Sequence, residues 1–296
     1  MSVTPQQVQK LREVTGAGIL DCKKALESTS GDFDQAIQQL REKGKASAAQ
    51  KAGRAAKEGL VCSWISVDGK KGGLVEINCE TDFVARTEEF KKFALSLAQC
   101  VADLKIQTLE SLMDQKLGGS SETVESLLKE KIGKLGENIL VKKVASFGNG
   151  SSLLGSYIHM PLEKTPQAGR LGVLMEAKMD QENPEAKILL REICMQVAAT
   201  SPKWVRKEEV PSSIVEKEKR IYKEQCKQSG KPETAWEKIV DGKLKDFYRQ
   251  FCLLEQAHIR DSSGKISIAA YIESSVQKLG IRLAIQRFSR FKLGEE

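Results

Sequence analysis

The N-terminal segment repeats its apolar residues with the period of a helix. Val8 and Leu11 begin one apolar stripe, and after a glycine-containing break residues 19–26 form a second. Beyond another glycine, Asp32 stands where a helix N-cap is expected. The apolar positions that follow it are spaced by three and four residues: Phe33, Ala36, Ile37 and Leu40. We therefore predict three helices over residues 1–44, with this last stripe in their common core.

The next segment, 45–59, differs in composition from its neighbours. Basic residues stand among alanine, serine and glycine in a stretch that starts just before it: Lys43, Lys45, Lys51, Arg54 and Lys57. Two interpretations remain open, a solvated and partly helical linker or a basic arm that meets an acidic partner. We predict the linker.

From residue 60 onward the apolar positions change to the period of a strand. We predict one strand over 60–67 and a second over 73–79, joined by the tight turn that Asp68-Gly69 favours. An amphipathic helix is predicted over 88–104. The first half of the protein's core is placed at 60–138.

The same order of strands and helix recurs further along the chain. Three strands are predicted, over 139–147, 153–159 and 171–178. A turn over 148–150 joins the first two. A helix over 184–200 follows, and one face of it carries Ile188, Leu189, Ile193 and Val197. Two antiparallel sheets, each backed by a helix, imply an α+β fold whose core has two related halves. The second half is assigned to 139–210 together with 250–296.

Residues 211–249 interrupt this core with a helical pattern of their own. Ser229-Gly230-Lys231-Pro232 divides the segment and favours a turn between two antiparallel helices. Each arm of roughly 16 residues would reach about 24 Å. Such a hairpin buries little by itself, so we predict a coiled coil that protrudes from the core and is free to contact a partner. The core resumes at Phe251 and ends with a short helix from Ser267 and a strand around 281–285.

Composition and charge narrow the class of protein. At 296 residues, 40% hydrophobic and 29% charged, the chain is predicted to be globular, and no apolar run approaches the roughly 20 residues of a membrane helix. The N-terminus shows no secretory or transit signal, so we expect a cytoplasmic protein, although a processed organellar protein would look the same. Seven scattered cysteines include no Cys-x-x-Cys pair, which indicates reduced, packed thiols. The net charge of +7 fits RNA or an acidic protein partner equally well.

Motifs for catalysis and nucleotide binding are missing from the sequence. It contains no Gly-x-x-x-x-Gly-Lys-Ser/Thr loop, no Gly-x-Ser-x-Gly and no His-Glu-x-x-His. The two histidines, His159 and His258, stand at predicted strand ends or loops, where a structural role is the more common one. We therefore predict a binding protein rather than an enzyme, without a cofactor or a bound metal.

The segment 78–85 is physically unusual. A predicted strand ends there, and Asp82 and Phe83 stand side by side just before a helix. In isolation, Thr81 or Asp82 would be interpreted as a helix cap and Phe83 as an apolar staple into the core. Five further segments accompany it and extend the pattern over nearly the whole chain: 14–26, 133–139, 157–159, 169–174 and 229–232. In content and order this set resembles the signatures of the bacterial elongation factor Ts family, whose members strip GDP from the GTPase elongation factor Tu.

The resemblance implies a function and a set of contacts. The chain would be a guanine nucleotide exchange factor for translation elongation. It would bind elongation factor Tu in its GDP-bound and nucleotide-free forms, without direct contact to nucleic acid or membrane. Asp82 and Phe83 would insert beside the partner's nucleotide site, and His159 would hold a different domain. The implied partner-binding residues are Ile19, Leu20, Thr81, Asp82, Phe83, Val84, Leu135, Gly136 and His159.

The sequence departs from the family pattern at two places. Residues 160–167 look inserted after His159, where members commonly pass almost directly into Gly-Arg-Ile-Gly. The chain is also expected to lack the C-terminal helical module of some long members. Two other classes of protein stay open at this point. One is a basic ribosome- or RNA-associated protein, and the other is an adaptor for ubiquitin-like proteins, because residues 1–44 resemble a ubiquitin-associated bundle.

Overall fold

The computed structural model describes residues 3–148, 152–180 and 183–295, so the predicted turn at 148–150 lies mostly outside it. Among these residues the helices are α1 (Pro5–Thr15), α2 (Ile19–Ser28), α3 (Phe33–Lys51), α4 (Asp82–Ala85), α5 (Glu88–Asp103), α6 (Leu109–Met113), α7 (Val124–Leu135), α8 (Pro184–Thr200), α9 (Ser212–Gln228), α10 (Glu233–Phe251) and α11 (Ile268–Leu279). The strands are β1 (Glu58–Ile65), β2 (Gly72–Cys79), β3 (Ile139–Phe147), β4 (Ser152–His159), β5 (Ala168–Gly169), β6 (Leu171–Met179) and β7 (Leu283–Lys292). None of the described helices is long and apolar enough to cross a bilayer.

Helices α1, α2 and α3 pack around a small apolar core of their own. Leu11, Cys22 and Leu26 are fully buried in it. Thr4 caps α1 and Asp32 caps α3, each by accepting a hydrogen bond from a backbone N–H of the first turn. The predicted stripe on α3 faces this core, with one buried and three half-buried members: Ala36, Phe33, Ile37 and Leu40.

Helix α3 does not end with this bundle. It continues through Lys51, and β1 already begins at Glu58, so the predicted linker 45–59 is corrected. Ala48 is buried in the core of the first sheet, and the ammonium of Lys51 donates to the carbonyl of Ile132 in α7. Alanine favours helix, and burial of its small side chain against the core fixes this stretch in place. The bundle is therefore joined to the core by one continuous helix.

Helices α3 and α7 cross at a pair of glycines. A Cβ added to Gly133 would lie 2.6 Å from the Cα of Gly44, closer than real Cβ atoms approach. A Cβ added to Gly44 would lie 3.8 Å from the Cα of Gly133, which is ordinary contact. The crossing therefore requires glycine at position 133 and tolerates alanine at position 44.

Gly133→Ala is expected to lower the free energy of unfolding by about 1–3 kcal/mol, because the added methyl group forces the two helices apart. Gly44→Ala is the matched control and should be neutral or stabilising, since alanine is the better helix former. Urea unfolding of both variants measures the difference. Equal midpoints for the two variants would contradict a crossing this close.

Two antiparallel sheets form the rest of the core. The first has the strand order β3-β2-β1-β5 and the second the order β4-β6-β7. Because β3 pairs with β2 along its length, the predicted boundary at residue 139 is corrected, and Ile139–Phe147 belongs to the first sheet. The period of a strand shows which face is buried but not which strand lies beside it.

The two sheets repeat one topology, and the predicted α+β class is confirmed. Leaving aside the short β5 and the helices that each half adds before its last strand, two strands are followed by a covering helix and a third strand, as β1-β2-α5-β3 and as β4-β6-α8-β7. The second strand of each unit lies between the other two. In both units the register shifts after a glutamate of that middle strand, Glu76 in β2 and Glu176 in β6, because the third strand has one extra residue there. The resemblance between the halves therefore extends to a local irregularity.

Helices α5 and α8 cover the outer faces of the two sheets. On α8, Leu189, Ile193 and Val197 are buried as predicted. Ile188 was expected on the same face, but it is 64% exposed. The buried side chains recur every four residues, and Ile188 lies about 100° from Leu189 around the helix.

The inner faces of the two sheets meet around a set of buried aliphatic residues: Val61, Leu74, Leu154 and Leu174. Glu76 lies two residues from Leu74 on the same face of β2, and it is fully buried. Neither of its carboxylate oxygens has a hydrogen-bond partner among the described residues, and the ammonium of Lys143 is 3.7 Å away. Burial raises the pKa of Glu76 in spite of the opposing charges of Lys143 and Lys142.

Glu76→Gln is expected to raise the free energy of unfolding at neutral pH by roughly 1 kcal/mol, because the amide avoids burying a charge. Folding raises the pKa of the Glu76 carboxyl. The native protein therefore loses stability as the pH rises from the unfolded-state pKa through the folded-state pKa, and the buried carboxyl costs no stability below both values. Urea titrations of the two proteins should therefore agree in acid and diverge toward neutral pH. Glu176→Gln is the matched control and should destabilise, since Glu176 accepts hydrogen bonds from Ser152 at 2.5 Å and Arg287 at 2.6 Å. A gain for Glu76→Gln that persists in acid would contradict this account.

Helices α9 and α10 form a hairpin that turns at Ser229-Gly230-Lys231-Pro232. Cys226 and Val240 are buried along its length. At its base, Leu244 and Phe247 belong to an apolar cluster that also contains Trp204. The segment 211–249 is therefore anchored by its last turns, and only its outer part is free of the core.

Candidate functional site

An exposed corner follows the last residue of β2. After Cys79 the chain passes through Thr81, whose extended backbone and hydroxyl cap α4 by accepting the N–H of Val84 at 3.4 Å. Val84 is half-buried against the core of the first sheet. Phe83 is 80% exposed. The interpretation of Phe83 as a staple into the core is therefore wrong, and the helix cap falls on Thr81 rather than Asp82.

Two guanidinium groups act on Asp82. Its carboxylate is 3.2 Å from the guanidinium of Arg86, one helical turn further on. Arg170, which follows β5, binds Glu58, and this hydrogen bond raises the pKa of Arg170 with an additional contribution from the charge of Asp82. A partner that binds Asp82 must therefore compete with the adjacent guanidinium of Arg86.

The corner is held by a residue that the sequence pattern did not single out. The carboxylate of Glu137 accepts the backbone N–H groups of Glu80 and Thr81, both at 3.0 Å, and the Thr81 hydroxyl at 2.5 Å. Glu80 in turn accepts the backbone N–H of Asn138 at 2.7 Å. The only available signal for Glu137 was its place inside the segment 133–139.

Leu135 and Gly136 lie at the C-terminal end of α7, next to this corner. Leu135 is half-buried and packs against the core of the first sheet. Gly136 is exposed, takes a φ of +79° and donates its N–H to the carbonyl of Ile132, which ends the helix. Through Glu137, the structure brings these two predicted site residues beside Thr81.

Ile19 and Leu20 begin α2 with exposed side chains, at 56% and 72%. Val14, at the end of α1, is 63% exposed and was not selected from the sequence. A groove of about 730 Å³ runs beside Ile19, and Val8 and Arg12 are among the residues that line it. Three exposed apolar side chains around one turn form a surface of the kind that protein partners cover. We call it the α1–α2 turn.

The α1–α2 turn rests on α7. A Cβ added to Gly16 would fall 1.8 Å from the Cε of Lys134, so glycine is needed for the lysine to lie over the turn. Lys134 and Lys131 both bind Glu89 of α5, at 2.8 Å and 2.7 Å. Burial alone would raise the pKa of Glu89, but these two hydrogen bonds lower it overall. Lys134 thus connects the turn with the helix whose C-terminal end lies beside Thr81.

His159 lies in the second sheet, at the end of β4. Its side chain is exposed, and its Nδ1 is 3.1 Å from the hydroxyl oxygen of Tyr157. The segment 160–167 after it turns back into β5, which pairs with β1 and brings Arg170 toward Asp82. The apparent insertion therefore leads directly into the edge strand of the first sheet. Within the described part of the chain, no hydrogen bond joins His159 to the other predicted site residues.

Comparisons with known proteins identify the class of protein. Residues 80–295 match the family described as elongation factor TS. The protein named elongation factor Ts from Clostridium botulinum (strain Eklund 17B / Type B) is 43% identical over 293 residues, covering 99% of this chain and 93% of the relative. Its namesake from Clostridium perfringens (strain 13 / Type A) is 44% identical with the same coverage. The one from Trichlorobacter lovleyi is 41% identical over 300 residues, covering 100% of this chain and 94% of the relative.

These matches define a translation elongation factor. Its α+β core carries exposed apolar side chains. Identity above 40% over nearly the whole chain is specific enough for the family itself. The chain belongs to the elongation factor Ts family. The family match starts at Glu80 and so includes Phe83, while the alignments to the relatives also cover most of the N-terminal helices.

Proposed function

We propose that the chain binds elongation factor Tu through the Phe83 corner and the α1–α2 turn, and that this binding promotes release of GDP. Membership of the elongation factor Ts family supports the exchange role and does not favour an RNA-associated protein. The observation that carries the choice of site is the 80% exposure of Phe83 on a hydrogen-bonded corner. An ordered apolar ring left in water is suited to fill a pocket on a partner.

In this proposal Phe83 acts as a wedge. The ring enters beside the nucleotide site of the partner and displaces the elements that hold Mg²⁺ and the phosphates. Asp82 brings a carboxylate to the same place, where it competes for hydrogen-bond donors or for a helix N-terminus. The chain and the nucleotide then weaken each other's binding to elongation factor Tu, and each of the two affinities falls by the same ratio. A thousandfold loss of affinity corresponds to a coupling free energy of about 4 kcal/mol.

The other exposed groups supply affinity. Ile19 and Leu20 dock on the nucleotide-binding domain of the partner, and Leu135-Gly136 contacts the same region. His159 holds a different domain, and the outer part of the α9–α10 hairpin is a further arm that is separable from exchange. We assign this function to the cytoplasm, with elongation factor Tu as the partner in both its GDP-bound and nucleotide-free forms.

Release of labelled GDP from purified elongation factor Tu, with and without the chain, tests the proposal. We expect a saturable acceleration, and excess GDP should weaken binding of the chain to its partner. An affinity that saturating GDP leaves unchanged would contradict the exchange role. Titration of the chain with RNA at rising salt is the control for the alternative class, which requires binding that falls steeply with ionic strength.

A further inference from the structure

We propose that Glu137 is a positioning residue for nucleotide exchange, which fixes the corner so that Phe83 is presented to the partner. The inference rests on the proposed function and adds a residue to it. Its basis is that one carboxylate accepts three hydrogen bonds from two consecutive residues of the corner. These come from the N–H groups of Glu80 and Thr81, both at 3.0 Å, and from the Thr81 hydroxyl at 2.5 Å.

The corner needs this support because Phe83 is exposed, and packing therefore does not fix its direction. The direction of the ring depends on the backbone that precedes it. Hydrogen bonds to a carboxylate are stronger and shorter than those between neutral groups. The Thr81 hydroxyl donates to Glu137 and also accepts the N–H of Val84 at 3.4 Å, so its orientation is set on both sides. Glu137 thus determines where α4 begins relative to the end of α7.

Glu80 adds a second bond between the corner and the segment after α7, in the opposite direction. It accepts the backbone N–H of Asn138 at 2.7 Å and lies 3.5 Å from the guanidinium of Arg54. Asn138 is buried, and its side-chain amide donates to the carbonyl of Arg54 at 2.8 Å. The chain segments that follow α3, β2 and α7 therefore meet at one point. The helix that comes from the N-terminal bundle and the corner that carries Phe83 share this junction.

A positioning role separates the rate of exchange from the affinity of the complex. Loss of the Glu137 carboxylate leaves Ile19 and Leu20 in place, so the chain still binds its partner through the α1–α2 turn. The corner is then free to take other orientations, and only a fraction of the complexes present Phe83 correctly. A substitution that only destabilised the fold would not lower the maximal rate while sparing the half-saturating concentration.

Four variants test the inference in labelled GDP release over a range of chain concentrations: Glu137→Ala, Glu137→Gln, Phe83→Ala, and Glu137→Ala combined with Phe83→Ala. We expect Glu137→Ala to lower the maximal release rate roughly tenfold, since hydrogen bonds to charged groups are lost. The half-saturating concentration should stay unchanged. Glu137→Gln keeps an oxygen for both N–H groups and an amide that can donate to the Thr81 hydroxyl, so it should retain most of the rate.

The double variant shows whether Glu137 acts through Phe83. If it does, Glu137→Ala combined with Phe83→Ala is no slower than Phe83→Ala alone. A full maximal rate for Glu137→Ala, or losses that multiply in the double variant, would overturn the inference. A full rate for Phe83→Ala would instead remove the proposed wedge, so the two failures are distinguishable. Should Glu137→Ala fail to fold, Thr81→Val, which removes the hydroxyl bond at nearly constant size, should lower the maximal rate while its control Thr81→Ser keeps it, and equal rates for the two would overturn the inference.

Discussion

Replacing Phe83 by alanine is expected to slow the maximal rate of GDP release from elongation factor Tu by roughly tenfold to a hundredfold. Burial of a large apolar side chain contributes about 1.5–3 kcal/mol, and about 1.4 kcal/mol corresponds to a tenfold change. The thermal midpoint of the free protein should stay the same, because Phe83 is 80% exposed and has little packing to lose. The complex should still form through the α1–α2 turn.

Both quantities are measured on the same preparation, by stopped-flow release of labelled GDP and by thermal unfolding. Ile188→Ala is the matched control, since Ile188 is also exposed but lies on α8 in the second half. It should leave the release rate unchanged. Asp82→Ala should slow release less than Phe83→Ala. A slower release that unfolding accounts for in full would remove Phe83 from the mechanism.

Exchanging Ile19 and Leu20 together for glutamine is expected to weaken the complex by about a hundredfold or more. Their side chains are 56% and 72% exposed in the free protein, so docking would bury most of two apolar groups. Glutamine is a good helix former, and α2 should persist. The maximal rate of GDP release at saturating chain should be retained, because the Phe83 corner is intact.

Calorimetric titration against nucleotide-free elongation factor Tu measures this loss of affinity. Leu104→Gln combined with Ile188→Gln is the control, since these side chains are 53% and 64% exposed on other elements. It should bind as the unsubstituted chain does. Full affinity in the Ile19 and Leu20 variant, with helix content preserved, would take the α1–α2 turn out of the interface.

Local signals in the sequence were sufficient for most helices and strands. Asp32 caps α3 where its spacing to the following apolar residues predicted, and the helices predicted from Pro184 and from Ser267 begin at or next to those residues. Two of the errors concern which elements lie beside each other, whereas Ile188 was assigned to the wrong face of α8 and α7 was not predicted. Strand β3 was put in the second half because nothing in its own residues shows that it pairs with β2. Helix α3 was ended early because the contact of Ala48 with a distant core has no local signal.

Some residues of the candidate site could be selected from the sequence and others could not. Phe83 could be selected only because the segment 78–85, together with the five segments that accompany it, resembles the signatures of the family; in isolation its pattern favours a staple into the core. Glu137 could not, because its bonds to Glu80 and Thr81 join residues 57 and 56 positions apart. Such a bond depends on how α7 returns to the end of β2. The alternation of polar and apolar residues contains no information about that return.

Strand β7 completes the second sheet from the far end of the chain, and this affects how the protein folds during its synthesis. It pairs with β6, although about a hundred residues, including the α9–α10 hairpin, separate the two strands. At ~5–20 residues per second, a ribosome takes roughly 5–20 s to add them. During that time β6 has an open edge that other nascent chains can pair with. The first sheet has all its strands by Gly169, so the part that carries Phe83 can be complete while the second sheet still lacks its last strand.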